Sequence, residues 1–332
     1  WRQFLAVILW VTERLYGHVL PEDLRTAMQR AVTIAARSEP VDRIAPEYSN
    51  IALMQAWLAD VTSHPSTLLE QVAKQIERDG DIAEYNSPTY DAISLLAGCL
   101  LADFATSSAA RQLGTSVIDR VCSRLQVVWH PTLALQAGPH SRSYGVNPRQ
   151  YVSLNAVLMA AIDVPAAGPT ALNDSTTHVH DLYFLPLFGR LCGRLRRSFV
   201  PQPVVASRRH VQRFGEVTAT SILEPSMAVG FEHGRRTRFA LDQYAPFIMT
   251  SDKGFLGIRT RPDTDWVDVV EIARHVYQVK SARRTGPDVQ HDVAALTIVA
   301  SRAPIMHENE LIFDDITLQF PNLTVEVRLP RT

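Results

Sequence analysis

The chain has 332 residues, 46% of them apolar and 20% charged, and a formal net charge of -1. That is enough chain for two domains of ordinary size, each burying its own core. A charge so near zero gives no global field to draw in nucleic acid or a membrane surface, and neither is expected as a partner.

In chain order, the sequence opens on Trp1 rather than Met, so further sequence is expected upstream. Phe4-Leu5-Ala6-Val7-Ile8-Leu9-Trp10-Val11 has the composition of a signal h-region. No small-residue cleavage site follows, however, and Thr12-Glu13-Arg14 continues it as a helix. Residues 2–17 and 21–37 form a first helical hairpin, its second helix carrying Leu24, Met28, Val32 and Ala35 on one stripe. Two kinds of helix then alternate. Ile51–Val61, Thr89–Ala105 and Tyr151–Ile162 are apolar almost all round, so protein must surround them. Ser66–Asp79 and Ala109–Val128 are amphipathic, the first with Thr67 and Glu70 spaced for a capping box. Tyr48-Ser49-Asn50 leads into one buried helix, and Tyr85-Asn86-Ser87 leads into the next 37 residues later, a faint repeat of one supersecondary unit. No apolar run reaches the roughly 18 residues that a membrane-spanning helix needs.

After Pro201-Gln202-Pro203, a linker, the pattern changes to period two. Glu216–Leu223, Met227–Phe231, Phe247–Thr250, Phe255–Ile258, Ala295–Ala300, Ile316–Phe320 and Leu323–Val327 read as short strands; Trp266–Val276 fits helix or strand. The expected fold is therefore an all-α domain over 1–200, of about four hairpins in an inner and an outer layer, followed by an antiparallel β-sandwich over 201–332.

Hairpin geometry turns this into a functional expectation. Successive helices run in opposite directions, so the loops entering the inner helices open on one face. That face collects Tyr48 and Asn50, then Glu84, Tyr85, Asn86 and Tyr90, then Gly138-Pro139-His140-Ser141-Arg142-Ser143-Tyr144-Gly145. Helix N-termini there favour an anion. A Tyr, a His, an Arg and an Asn in one cleft meet the needs of β-elimination at a uronic acid. An amide or imidazole neutralises the carboxylate and acidifies the neighbouring C–H, and a phenol takes that proton. Arg142 is placed to lower the pKa of such a phenol.

These loops, on a helical-hairpin array followed by a β-sandwich, resemble the toroid-plus-sandwich polysaccharide lyases of the heparinase, alginate lyase and chondroitin lyase kind. The resemblance covers the architecture of most of the chain and residue types at two loops, although the His140-to-Tyr144 spacing is shorter than those families use. It implies an incomplete α/α toroid and a lyase acting on an acidic oligo- or polysaccharide. It also implies Asn86 and His140 neutralising the carboxylate, Tyr144 as acid/base and Arg142 stabilising charge. Tyr85, Tyr90, Tyr48, Asn50 and Glu84 would line the substrate site.

Other readings stand beside it. Asn86 fits a helix cap before Pro88, and His140, Arg142 and Tyr144 could simply order a long loop. Glu47 and Glu84 could form the carboxylate pair of a glycoside hydrolase, or both could be capping residues. A non-catalytic glycan-binding protein, or a small-molecule enzyme reusing the scaffold, is a third option. No cofactor or metal is expected. Cys99, Cys122 and Cys192 show no ligand spacing, and His178-Val179-His180-Asp181 has no further donors evident nearby. Sequons at Asn173-Asp174-Ser175 and Asn322-Leu323-Thr324 are compatible with secretion and leave the compartment open.

Overall fold

Helices fill the chain as far as Ser198, and strands dominate from Arg208 onward. The computed structural model describes residues 2–37, 44–174, 176–236, 243–260, 266–282, 295–320 and 324–328; Ser175 of the first sequon and Asn322-Leu323 of the second lie outside them.

Consecutive helices pack in pairs: Arg2–Tyr16 (α1) with Glu22–Arg37 (α2), Ser49–Val61 (α3) with Leu68–Asp79 (α4), Asp91–Phe104 (α5) with Ser108–Val128 (α6). After the short ladder of Trp129–His130 (β1) and Leu135–Gln136 (β2), Leu154–Ala161 (α7) packs with Leu185–Leu191 (α8). The first members of the pairs also form a row, α1 on α3, α3 on α5 and α5 on α7. This matches their sequences: α3 and α5 lack a polar face and bury nearly every side chain, whereas α4 buries only Leu68, Val72, Gln75 and Ile76. Close approach of α5 and α6 depends on Gly114, where a Cβ would lie 2.5 Å from the Ala102 nitrogen. The apolar run Phe4–Val11 lies inside α1, and no helix of the described residues is long and apolar enough to cross a membrane. A last helical turn, Leu195–Ser198 (α9), ends this part.

Two local expectations change. Thr67 has helical rather than extended backbone, so it does not cap α4; its hydroxyl accepts from Gln71 while Ser66 accepts from the Leu68 N–H. The helix expected over Tyr151–Ile162 starts only at Leu154, because Ser153 caps it through the Ala156 N–H and Tyr151 bridges Thr177 in extended conformation.

The strands build two sheets. Arg208–Phe214 (β3), Val217–Glu224 (β4), Met227–His233 (β5), Phe247–Ser251 (β6) and Phe255–Arg259 (β7) run as consecutive antiparallel neighbours. Trp266–Ala273 (β8) and Val276–Ala282 (β9) form a hairpin, which settles the ambiguous Trp266 segment as strand. Ala295–Ala300 (β10) adds to β7. Ile305–His307 (β11), Glu310–Phe313 (β12) and Ile316–Gln319 (β13) add to β9, and Thr324–Arg328 (β14) returns beside β10. The chain changes sheet after β7, β9, β10 and β13. As a result β10–β14 and β9–β13 are parallel, and the sheets are antiparallel everywhere else.

One core joins the sheets, with Val229, Phe231, Phe247, Leu256 and Ile258 meeting Val267, Val269, Tyr277, Val279 and Leu318. The larger sheet is covered on its other face too. Ile248 and Phe255 pack on Val146, Ala228 and Leu223 on Val128, Leu133 and Leu135, and Phe214 stacks on Tyr85 at 3.7 Å. That double burial explains why β5 and β6 read as unbroken apolar runs rather than alternating ones.

Closest approach falls at Gly230 of β5, where a Cβ would lie 1.7 Å from the Gly138 carbonyl carbon. Backbone cannot yield as a side-chain tip can, so Gly230→Ala is expected to cost about 3 kcal/mol or more. Gly189→Ala in α8, where a Cβ meets nothing within 4 Å, should be neutral or slightly stabilising. Urea denaturation of the two variants checks the contrast. Equal midpoints would mean that the sheet and the 138–145 loop are not packed this way.

Candidate functional site

Three loops meet at the N-terminal ends of α3, α5 and α7, and a buried carboxylate ties them together. Glu84 Oε2 accepts from the Asn50 backbone N–H at 2.7 Å and from Asn50 Nδ2 at 2.5 Å. Its Oε1 accepts from Arg142 Nη1 in an ion pair with the Glu84 side chain fully buried. Arg142 also donates from Nη2 to the Tyr90 phenol at 3.2 Å and from Nε to Gln243 Oε1 at 3.0 Å. Its guanidinium lies 4.0 Å from the centre of the Tyr90 ring and 5.4 Å from that of Tyr48, a planar cation between two aromatic rings. Burial pushes the Glu84 carboxyl up, and Arg142 and Asn50 hold against it.

Below the same loops runs a second polar network. Asn86, in the left-handed region at φ 48, donates from Nδ2 to the Ala137 carbonyl at 2.9 Å and the Pro139 carbonyl at 2.5 Å. Its Oδ1 accepts from Gln136, which also donates to Asp91 at 2.9 Å and accepts from Asn155 at 2.6 Å. Arg124 closes the network with 2.8 Å contacts to Asp81 and Asp91. Burial carries Asp91 up to about 7 against the pull of Arg124 and Gln136. His140 is 5% exposed, with Nε2 at 3.3 Å from the Gln136 carbonyl, and its backbone pairs with Ala245 of the sheet part. It lines a narrow, half-enclosed and mostly apolar cavity of about 20 Å³ beside Gln136, Tyr151, Asn155 and Thr250.

Burial holds His140 down to about 4, with Arg259 adding to the effect. The folded state therefore binds fewer protons than the unfolded one between about pH 4 and 6.5. The His140 contribution is complete above pH 6.5 and is lost as pH falls through about 4, some 3 kcal/mol in all. Unfolding free energies of wild type and His140→Gln at pH 7 and pH 4 should differ in their pH dependence by about that much. Parallel curves would contradict a neutral buried imidazole.

Tyr144 stands where the loops reach the surface. Its backbone N–H donates to Thr89 Oγ1, and its half-buried ring stacks on His178 with centroids 3.4 Å apart and planes 7° from parallel. Tyr90 and Tyr151 meet it edge-on at 6.0 and 5.9 Å. The phenol lies beside Tyr90 and Asp181; burial, then the charges of Tyr90 and Asp181, push it well above the usual phenol range, so the lowering expected from Arg142 is outweighed.

The nine residues expected on this face thus divide into two groups. Tyr48, Tyr90, Arg142 and Tyr144 are partly exposed and in mutual contact. Asn50, Glu84, Tyr85, Asn86 and His140 are buried. Asn86 has its amide engaged by the 136–139 backbone rather than turned to an open cleft. Tyr85 faces the sheet, donating to Glu232 at 2.6 Å and accepting from Arg235 at 2.7 Å. Glu84 has both oxygens engaged while Glu47 is exposed, so the pair does not have the layout of a glycosidase acid and base. Gln243 and the 178–181 turn join the face unforeseen. Gln243 carried no signal, lying 101 residues from its partner Arg142, whereas His178-Val179-His180-Asp181 was visible as a pattern without a neighbour.

None of the curated proteins matches the chain, and none of the solved structures does. A family model described as Domain of unknown function (DUF8769) matches residues 1–192, the helical part together with all three loops. The chain belongs to that family.

Proposed function

We propose that the protein is a polysaccharide lyase that cleaves a uronate-containing glycan by β-elimination on an incomplete α/α toroid backed by a β-sandwich. The observation that carries the reading is Tyr144, a half-exposed phenol set between the Arg142–Tyr90 pair and the imidazole of His178. Elimination needs a group that removes the proton next to the carboxylate and returns one to the departing glycosidic oxygen, and a tyrosine can do both, as phenolate and then as phenol. It also needs positive or donor groups for the carboxylate, whose charge grows as the proton leaves. Arg142 serves that purpose on the exposed side. Asn86 and His140 act as positioning residues, bracing the 136–140 backbone from which Arg142 and Tyr144 project.

A panel of acidic and neutral polysaccharides tests the reading, with the product followed by the ultraviolet absorbance of its carbon–carbon double bond conjugated to the carboxylate. The expected result is that absorbance on at least one uronate polymer and none on neutral glycans. New reducing ends without the chromophore would replace elimination by hydrolysis.

A further inference from the structure

The turn that carries His178 places two imidazoles and a carboxylate around one point. One ligand atom each from His178, His180 and Asp181 lies within 4.8 Å of the others, and His180 Nε2 is already 3.5 Å from Asp181 Oδ1. Donors around a tetrahedral zinc at about 2.0–2.1 Å sit roughly 3.4 Å apart, so small side-chain rotations complete the set. Two atoms of the cluster, His178 Nδ1 and Asp181 Oδ2, are buried and have no hydrogen-bond partner. Asp181 is 3% exposed, and a carboxylate oxygen left without a donor at that depth is costly. His180, by contrast, is exposed, which leaves the cluster open to solvent on one side.

We propose that His178, His180 and Asp181 bind one divalent cation of the zinc class, with a coordination position open toward solvent and Tyr144. Two imidazoles and one carboxylate suit zinc and its transition-metal neighbours; calcium and magnesium prefer all-oxygen shells. Tyr144 supplies the surrounding support, with its ring stacked on His178. The site stands on this geometry alone. Its use, with an anionic group of the substrate taking the open position, rests on the elimination reading.

The full chain, stripped with chelator and titrated with zinc chloride by calorimetry, is expected to bind one equivalent. Calcium and magnesium should not compete at equal concentration. His180→Gln, at an exposed position, should abolish binding while leaving the circular dichroism spectrum unchanged, and Asp181→Asn should do the same. His18→Gln, a change at an exposed histidine elsewhere, should have no effect. Absence of saturable zinc binding, or binding that survives both ligand substitutions, would overturn the site. Should Asp181→Asn fail to fold, His180→Gln carries the test by itself. The polysaccharide panel run on stripped and loaded protein separates the two proposals. One bound equivalent with no elimination on any polymer upholds the site and removes the lyase, whereas elimination undiminished by stripping, with no zinc bound, does the reverse.

Discussion

Glu84→Ala is expected to lower the unfolding free energy by about 3–5 kcal/mol. The reason is geometric. One carboxylate satisfies two donors of Asn50 at the start of α3, the guanidinium of Arg142 on the third loop, and its own position ahead of α5. Removing it leaves a cation that is 11% exposed without its counter-ion and strands two donors of a fully buried residue. Glu84→Gln keeps one acceptor oxygen for Asn50 but loses the charge and turns an NH2 donor toward the Arg142 guanidinium, so a cost of about 1–3 kcal/mol is expected. An exposed pair such as Glu70–Lys74 provides the comparison: water already solvates both partners, and Glu70→Ala should leave the urea midpoint nearly unmoved. If Glu84→Ala behaved like Glu70→Ala, the loops would not be held by this carboxylate, and the common face would lose its physical basis.

Much of the helical part was legible because burial writes itself into residue type. An apolar helix such as Asp91–Phe104 has to be surrounded, an amphipathic one such as Leu68–Asp79 has to lie outside, and alternation of the two orders the chain into paired helices. From that order the meeting of Tyr48, Tyr90 and Arg142 followed without any long-range signal. What the order could not convey is what covers the loops. Ala245 pairs with His140, and Gly230 presses on Gly138, through residues more than 90 positions away in a sheet whose strands carry no mark of their partner. For that reason Tyr85, Asn86 and His140 read as polar groups on a polar loop, although the sheet and their own backbone neighbours bury them. Strands β3 and β11 escaped notice because their residues are largely charged or exposed, as edge strands tend to be, and β12, an inner strand, because it is only four residues long. The distinction between a residue that touches a ligand and one that holds the loop depends on this burial and on nothing local.

The same distinction makes Tyr144→Phe the decisive substitution for the proposed chemistry. Phenylalanine keeps the ring that stacks on His178 and meets Tyr90 and Tyr151, so the loop should stay in place. The variant loses only a partly buried hydroxyl beside Tyr90 and Asp181, worth about 1 kcal/mol of stability or less. If the phenol moves the proton, kcat on the uronate polymer identified by the panel should fall by about 10²–10⁴, with KM little changed because the binding groups remain. Tyr183→Phe, at a side chain 79% exposed and outside the cluster, should match wild type. His140→Gln provides the opposite contrast. A buried imidazole behind the loop can change the rate only by letting the loop shift, and its effect should fall on kcat and KM together and track the loss of stability. A Tyr144→Phe protein that folds and retains wild-type kcat would assign the proton transfer to another group.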